Sequence, residues 1–164
     1  MNRKARPAAD PALPRPIPRP GEGKRGPEGH LGYLVRQANV AVRAAMERAL
    51  ADLDATPAQF AVLTMIVAYP GLSGADLARL TFLTPQTINV IVRNLVRGGA
   101  IEKTAHAVHG RVLRLTATAK GQALLKRCRV RVQEVEGRIA GLVGKDEKVV
   151  RRWLAAVAEE LGGR

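Results

Sequence analysis

Acidic residues, aromatic residues and cysteine are all scarce in this chain, and each shortage removes a class of explanation. Cys128 is the one cysteine. It cannot close an intramolecular disulfide, so the fold is no disulfide scaffold and a reducing compartment fits best. Aromatic side chains make up 3% of the residues, so the core must be mostly aliphatic. No stacking aromatics are interleaved with the basic residues, as they usually are in proteins that bind single strands. No uninterrupted apolar run approaches the ~20 residues needed to span a bilayer. The basic N-terminus has no apolar stretch after it, so no signal peptide is expected. The expectation is a soluble, cytoplasmic protein without a membrane partner.

Recognisable catalytic patterns are missing as well. His30, His106 and His109 form no spaced set with Ser or Asp, and Cys128 has no local partner motif. The glycines of Gly21 to Gly29 follow no strand, so they do not make a phosphate-binding loop. His106 and His109 lack a third metal ligand. We therefore expect no catalytic residues, no metal and no cofactor.

What is present is positive charge and an ordered series of helix signals. Lys and Arg number 27 against 14 Asp and Glu, a formal net charge of +13. Such an excess attracts nucleic acid, an acidic membrane surface or an acidic partner, without choosing among them. A chain of 164 residues with 46% hydrophobic content suits one domain with a real core.

Residues 1–29 read as a tail. Pro7, Pro11, Pro14, Pro16, Pro18, Pro20 and Pro27 crowd it, and Arg3, Lys4, Arg6, Arg15, Arg19, Lys24 and Arg25 outnumber its acids. Almost nothing in it can be buried, so disorder or polyproline II is expected. It is either a solvated extension or a basic arm adding phosphate contacts.

From Leu31 to Leu53 apolar residues recur at spacings of three and four, which predicts a long amphipathic helix. Thr56-Pro57 opens the next helix with a hydroxyl cap and Pro in the first turn, and places Phe60, Leu63, Thr64 and Val67 on one face. Ser73 caps a short helix with Asp76 three residues on, and Leu77 and Leu80 are its expected buried positions. Thr84-Pro85 repeats the hydroxyl-Pro start. Ile88, Ile91, Val92 and Leu95 then form an inner face, which turns Gln86, Thr87, Asn89 and Arg93 outward. Gly98-Gly99 stops this helix. Ile101 to Ala105 and Arg111 to Ala117 read as two strands around a turn at His109-Gly110. Thr118 caps a long helix broken at Gly144, and Val149 to Leu161 make a last amphipathic one.

The outward face beginning at Thr84 suits DNA. Asn and Gln match adenine and Arg matches guanine in the major groove. Thr84, Pro85 and the exposed N–H groups at the helix start suit phosphate. Arg111 at the hairpin tip fits the minor groove, and Arg97, Lys103, Arg114 and Lys120 add charge toward phosphates.

The segment from Leu77 to Leu95, the following Gly-Gly, His109-Gly-Arg111 with Val-Leu-Arg-Leu, and Thr118-Ala-Lys-Gly121 together resemble the MarR family of winged helix-turn-helix regulators. The resemblance covers roughly Leu31 to Leu161. It implies a mainly α fold with a small β-wing, and N- and C-terminal dimerisation helices. Residues 30–162 would form the domain, with the head at about 56–117 and the dimerisation helices at about 31–53, 118–143 and 146–162. The implied function is sequence-specific binding of double-stranded DNA by a dimeric repressor at a pseudo-palindromic operator. A basic structural or RNA-associated protein is the alternative.

The DNA-contacting set expected from the residues and the resemblance is Ser73, Thr84, Pro85, Gln86, Thr87, Asn89, Val90, Arg93, His109 and Arg111. Release by a small aromatic or lipophilic effector is implied too, with Tyr33, Arg36, Phe60 and Met65 as candidate contacts. The chain departs from the family in three places. Phe82 stands where the family often has Gly, and Phe tolerates positive φ poorly, so a differently built turn is expected there. His109 stands where an Asp often orients the wing Arg, and Ala117 where Leu is frequent. Cys128 lies in an apolar stripe and is expected to be a buried structural thiol.

Overall fold

The computed structural model describes residues 17–105 and 113–162. Six α-helices and one two-stranded antiparallel sheet are found among them. The helices are α1 (Leu31–Leu50), α2 (Pro57–Ala68), α3 (Gly74–Thr81), α4 (Pro85–Arg97), α5 (Ala119–Val143) and α6 (Glu147–Leu161). The strands are β1 (Ile101–Ala105) and β2 (Leu113–Ala117), between α4 and α5. Contacts divide the chain into two units, Met1–Ala41 and Val42–Arg164.

Within the first unit, residues 17–29 depart from the expected featureless tail. They fold into turns around a 3-10 segment at Gly23–Arg25. Arg25 is the organising side chain. It donates to the Pro18 carbonyl at 2.8 Å and to Gln37 Oε1 at 3.3 Å, while Gln37 Nε2 donates to the Arg25 carbonyl at 3.0 Å. A guanidinium with several donors fixes backbone that composition alone leaves undetermined. Residues 1–16 lie outside the described residues.

The second unit is built around α2. Its start is a full capping box: Thr56 Oγ1 accepts from the Gln59 N–H at 3.1 Å, and Gln59 Oε1 accepts from the Thr56 N–H at 2.9 Å. Val62, Leu63 and Ile66 are its most deeply buried residues, and Phe60, Met65 and Val67 pack more loosely around them. The single face expected at Phe60, Leu63, Thr64 and Val67 is therefore corrected. The helix touches α3, α4, α5 and β2, so it is buried nearly all round, and a helix in that position is apolar all round.

The core continues through Leu77, Ala78, Ile88, Ile91, Val92, Leu95, Ala100, Ile101, Leu115 and Leu125. A second apolar cluster joins Leu50, Cys128 and Val132, with Met46, Leu53 and Phe60 against it, and ties the end of α1 to α5. Asp52 and Arg131 pair across the same junction at 2.8 Å. Cys128 is the buried structural thiol expected, and burial pushes its pKa up.

One close backbone approach locks α5 to the sheet. Thr118 caps α5 by accepting from the Gly121 N–H at 3.1 Å, and its hydroxyl donates to the Gly99 carbonyl at 2.6 Å. The Thr118 N–H donates to the Ala100 carbonyl at 3.1 Å. A Cβ at Gly121 would overlap that same Ala100 oxygen, so only glycine fits there.

Among the described residues, no single helix is long and apolar enough to cross a membrane. Residues Leu31–Leu53 with Pro57–Ala68 reach the required composition only as a bent pair, and α2 is core.

Candidate nucleic-acid interface

Helix α3, a tight turn and α4 form a helix-turn-helix whose local chemistry is well satisfied. Ser73 Oγ accepts from the Asp76 N–H at 3.2 Å and donates to Asp76 Oδ2 at 2.6 Å, and the Ser73 N–H donates to that oxygen at 3.2 Å. Arg79 pairs with Asp76 at 3.0 Å. The Ser73 hydroxyl, then its N–H, and to a lesser degree Arg79 hold the Asp76 carboxyl below its ordinary pKa. The Ser73 hydroxyl is thus engaged in capping α3.

The buried face of α3 is Leu77 and Ala78, with Thr81 part-buried and its hydroxyl donating to the Leu77 carbonyl at 2.6 Å. The expected burial of Leu80 is corrected, since it remains 40% exposed. At about 100° per residue, Ala78 and Thr81 fall to one side of Leu77 and Leu80 to the other, so the face that meets the core leaves Leu80 at its edge.

The turn also differs from expectation. Phe82 adopts the left-handed conformation, φ 54 and ψ 34, that glycine would supply. Its N–H and that of Leu83 both reach the Ala78 carbonyl, which closes α3 and sends Leu83 into the core. The chain therefore forms the tight turn in spite of the Cβ.

Thr84 then caps α4, with Oγ1 accepting from the Thr87 N–H at 3.1 Å and hydrogen-bonded to the Thr87 hydroxyl at 2.8 Å. Pro85 has no N–H to lose, and the Gln86 N–H has no intrahelical acceptor. Ile88, Ile91, Val92 and Leu95 are all buried, as their spacing predicts. Gln86, Thr87, Asn89, Val90 and Arg93 are all exposed on the opposite side. The spacing of Gln86, Asn89, Val90 and Arg93 makes them one stripe along the helix. Its chemistry is complementary to a major-groove floor: amide groups, one guanidinium, and the Val90 side chain for a thymine methyl. Arg97 is held by Asn94 Oδ1 at 2.8 Å.

Helix α4 ends in two bonds characteristic of a left-handed glycine cap. The Gly99 N–H donates to the Val96 carbonyl at 2.9 Å and the Ala100 N–H to the Leu95 carbonyl at 2.8 Å, with Gly99 at φ +71. The chain then enters β1, paired with β2 in the register Ile101↔Ala117, Lys103↔Leu115 and Ala105↔Leu113. Ile101 and Leu115 anchor the hairpin in the core, Lys103 is exposed, and Arg114 lies over Gly71. His109 and Arg111, the expected wing-tip contacts, lie outside the described residues, as does His106.

The four effector candidates fall in different places. Tyr33 and Arg36 are exposed residues of the first unit. Phe60 and Met65 are part-buried on α2, and Phe60 packs against both apolar clusters of the second unit. The sequence singles out Phe82 for its poor tolerance of positive φ, but not for the exposure of its ring, which is 87%.

Three helices, a two-stranded hairpin and an exposed polar stripe on the third helix define a winged helix-turn-helix protein. The chain belongs to the MarR family. A MarR family model matches residues 53–112. The HTH-type transcriptional repressor Rv2887 of Mycobacterium tuberculosis is 37% identical over 133 residues, spanning 80% of this chain and 93% of the relative. A crystal structure of Rv2887 in complex with salicylic acid superposes with a TM-score of 0.65 at 34% identity, covering 78% of this chain and 96% of that one. The transcriptional repressor CouR bound to a 23-mer DNA duplex gives a TM-score of 0.74 at 28% identity, covering 79% and 92%.

Proposed function

We propose that this protein is a homodimeric transcriptional repressor, acting in the cytoplasm, that reads a pseudo-palindromic duplex operator through α4. It is released by a small aromatic acid and catalyses no reaction. The observation that carries this reading is the stripe of Gln86, Asn89, Val90 and Arg93, exposed on a helix whose other face is wholly buried. A helix held so firmly presents its outer side chains in a fixed orientation, which base readout requires.

Thr84, Pro85 and the Gln86 N–H are the phosphate-facing end of the helix, and Thr87 lines its first turn. Ser73 serves by holding α3 in place. His109 and Arg111 are the proposed wing contacts. The module is residues 30–162, with residues 1–29 as a basic extension of it.

The effector class is suggested by Rv2887, which has been crystallised with salicylic acid and with p-aminosalicylic acid. Phe60 and Met65 are the effector contacts we favour on α2, because Phe60 joins the head's core to the cluster around Cys128. An occupant displacing it would act on both.

A duplex recovered by selection from random DNA tests the pair of claims together. Salicylate added to the complex should lower its affinity, and Phe60→Ala should blunt that response. A complex indifferent to salicylate, p-aminosalicylate and related aromatic acids would remove the effector from the proposal and leave the DNA reading standing.

A further inference from the structure

The left-handed Phe82 carries two disadvantages that nothing among the described residues offsets. A residue with a Cβ is disfavoured at φ 54, ψ 34, where glycine is at ease. Its ring is also 87% exposed, so it gains almost no burial in return. The turn does not require the ring. The bonds that close it, from the Phe82 and Leu83 N–H groups to the Ala78 carbonyl, are backbone bonds that any residue makes. An observed conformational outlier of this kind, at the edge of a binding surface, points toward function.

We infer that Phe82 is a DNA-contact residue that lays its ring on the apolar surface of the duplex beside the helix α4 entry point. This inference rests on the DNA reading above. Phe82 precedes the cap residue Thr84 by two positions, so the two Cα atoms are separated by at most about 7 Å of chain. A duplex engaged by Gln86, Asn89 and Arg93 therefore runs close to position 82, where an exposed ring is available to it. Leu80, half-exposed two residues earlier, extends the apolar edge. The charge of the head favours DNA over a protein surface: Arg79, Arg93, Arg97, Lys103 and Arg114 outnumber its acids, Asp76 and Glu102. The matching chemistry on the duplex is C–H surface, from a thymine 5-methyl group or from deoxyribose.

The test uses the full chain, a selected duplex and two variants, Phe82→Gly and Phe82→Asn. Both residues accept the left-handed conformation, so both should keep or raise the melting temperature. Both should weaken binding to the selected duplex by roughly fivefold or more, the scale of a lost base-edge contact. Asparagine guards against the added flexibility of glycine as the cause. Repeating the measurement with uracil in place of thymine separates the two sources. Because Val90 also suits a thymine methyl, parent and variants are compared on both duplexes: a loss with uracil that the Phe82 variants do not share assigns the ring to a methyl group, and an equal loss in parent and variants assigns it to sugar. Parent-like binding by both variants would overturn the inference, and so would a change in oligomeric state with unchanged DNA affinity. Failure of the underlying DNA reading is distinguishable, because then Asn89→Ala and Arg93→Ala would also bind as the parent does.

Discussion

At the residue scale, two kinds of position carry different consequences. Asn89 and Arg93 are exposed, and no hydrogen bond or ion pair engages either among the described residues, so their replacement should leave stability alone. Asn89→Ala or Arg93→Ala should each weaken binding to a selected duplex by about 1–3 kcal/mol and relax sequence preference, measured by competition against random DNA. Gly121 is the opposite case. Gly121→Ala puts a methyl group into the Ala100 carbonyl where backbone cannot yield easily. A loss of about 1–3 kcal/mol in unfolding free energy is expected from such overpacking, and equal denaturation midpoints would contradict the close approach.

The inner face of α4 was legible residue by residue, because Ile88, Ile91, Val92 and Leu95 obey helical period and their neighbours are polar. Leu80 and Phe82 were not. Apolar spacing alone placed Leu80 inside, but in a two-turn helix the packing direction decides between its two edges. The conformation of Phe82 is imposed by the bonds that join α3 to α4, and residue preference argues against it.

At the element scale, hydroxyl caps explain why the helices begin where they do. Thr56, Ser73, Thr84 and Thr118 each accept an N–H three residues on, and all four starts were visible in the sequence. Removing one, as in Thr56→Ala, should lower stability by about 1 kcal/mol, read from urea unfolding. The box at Ser73 adds pH dependence. The Asp76 pKa is depressed in the folded head, so its contribution is present above the unfolded pKa and lost as pH falls through the lower folded value. Asp76→Asn should reduce the loss of melting temperature between neutral pH and the acid carboxylate range. Helix α2 shows the limit of periodicity: an all-round apolar helix offers no preferred face, and its four neighbours decide burial.

At the scale of the whole molecule, the terminal helices ask for a partner. None of the residues of α6 is buried, although Val149, Trp153, Leu154 and Leu161 are large and apolar. Leu142, near the end of α5, is 90% exposed. Contiguous apolar exposure of this kind marks an interaction surface, and a second copy is the occupant we propose. Trp153→Asp combined with Leu154→Asp should shift the protein from dimer to monomer in analytical ultracentrifugation. An unchanged sedimentation coefficient would mean that α6 is not in the interface. Cys128 fits the same picture as a packing residue. Its buried thiol should resist alkylation in the native protein and react on unfolding, as followed by mass spectrometry.

Dimer and reading helix meet in one geometric consequence: two copies of α4 related by a two-fold axis read half-sites about one helical turn, ~34 Å, apart. Selection of bound fragments from random duplex DNA with the full chain tests this most directly. The expected result is an inverted repeat with half-sites spaced by one turn, lost on Arg93→Ala. Fragments without a common motif, bound equally by the parent and the Arg93 variant, would contradict it and favour a basic protein that binds nucleic acid without reading it.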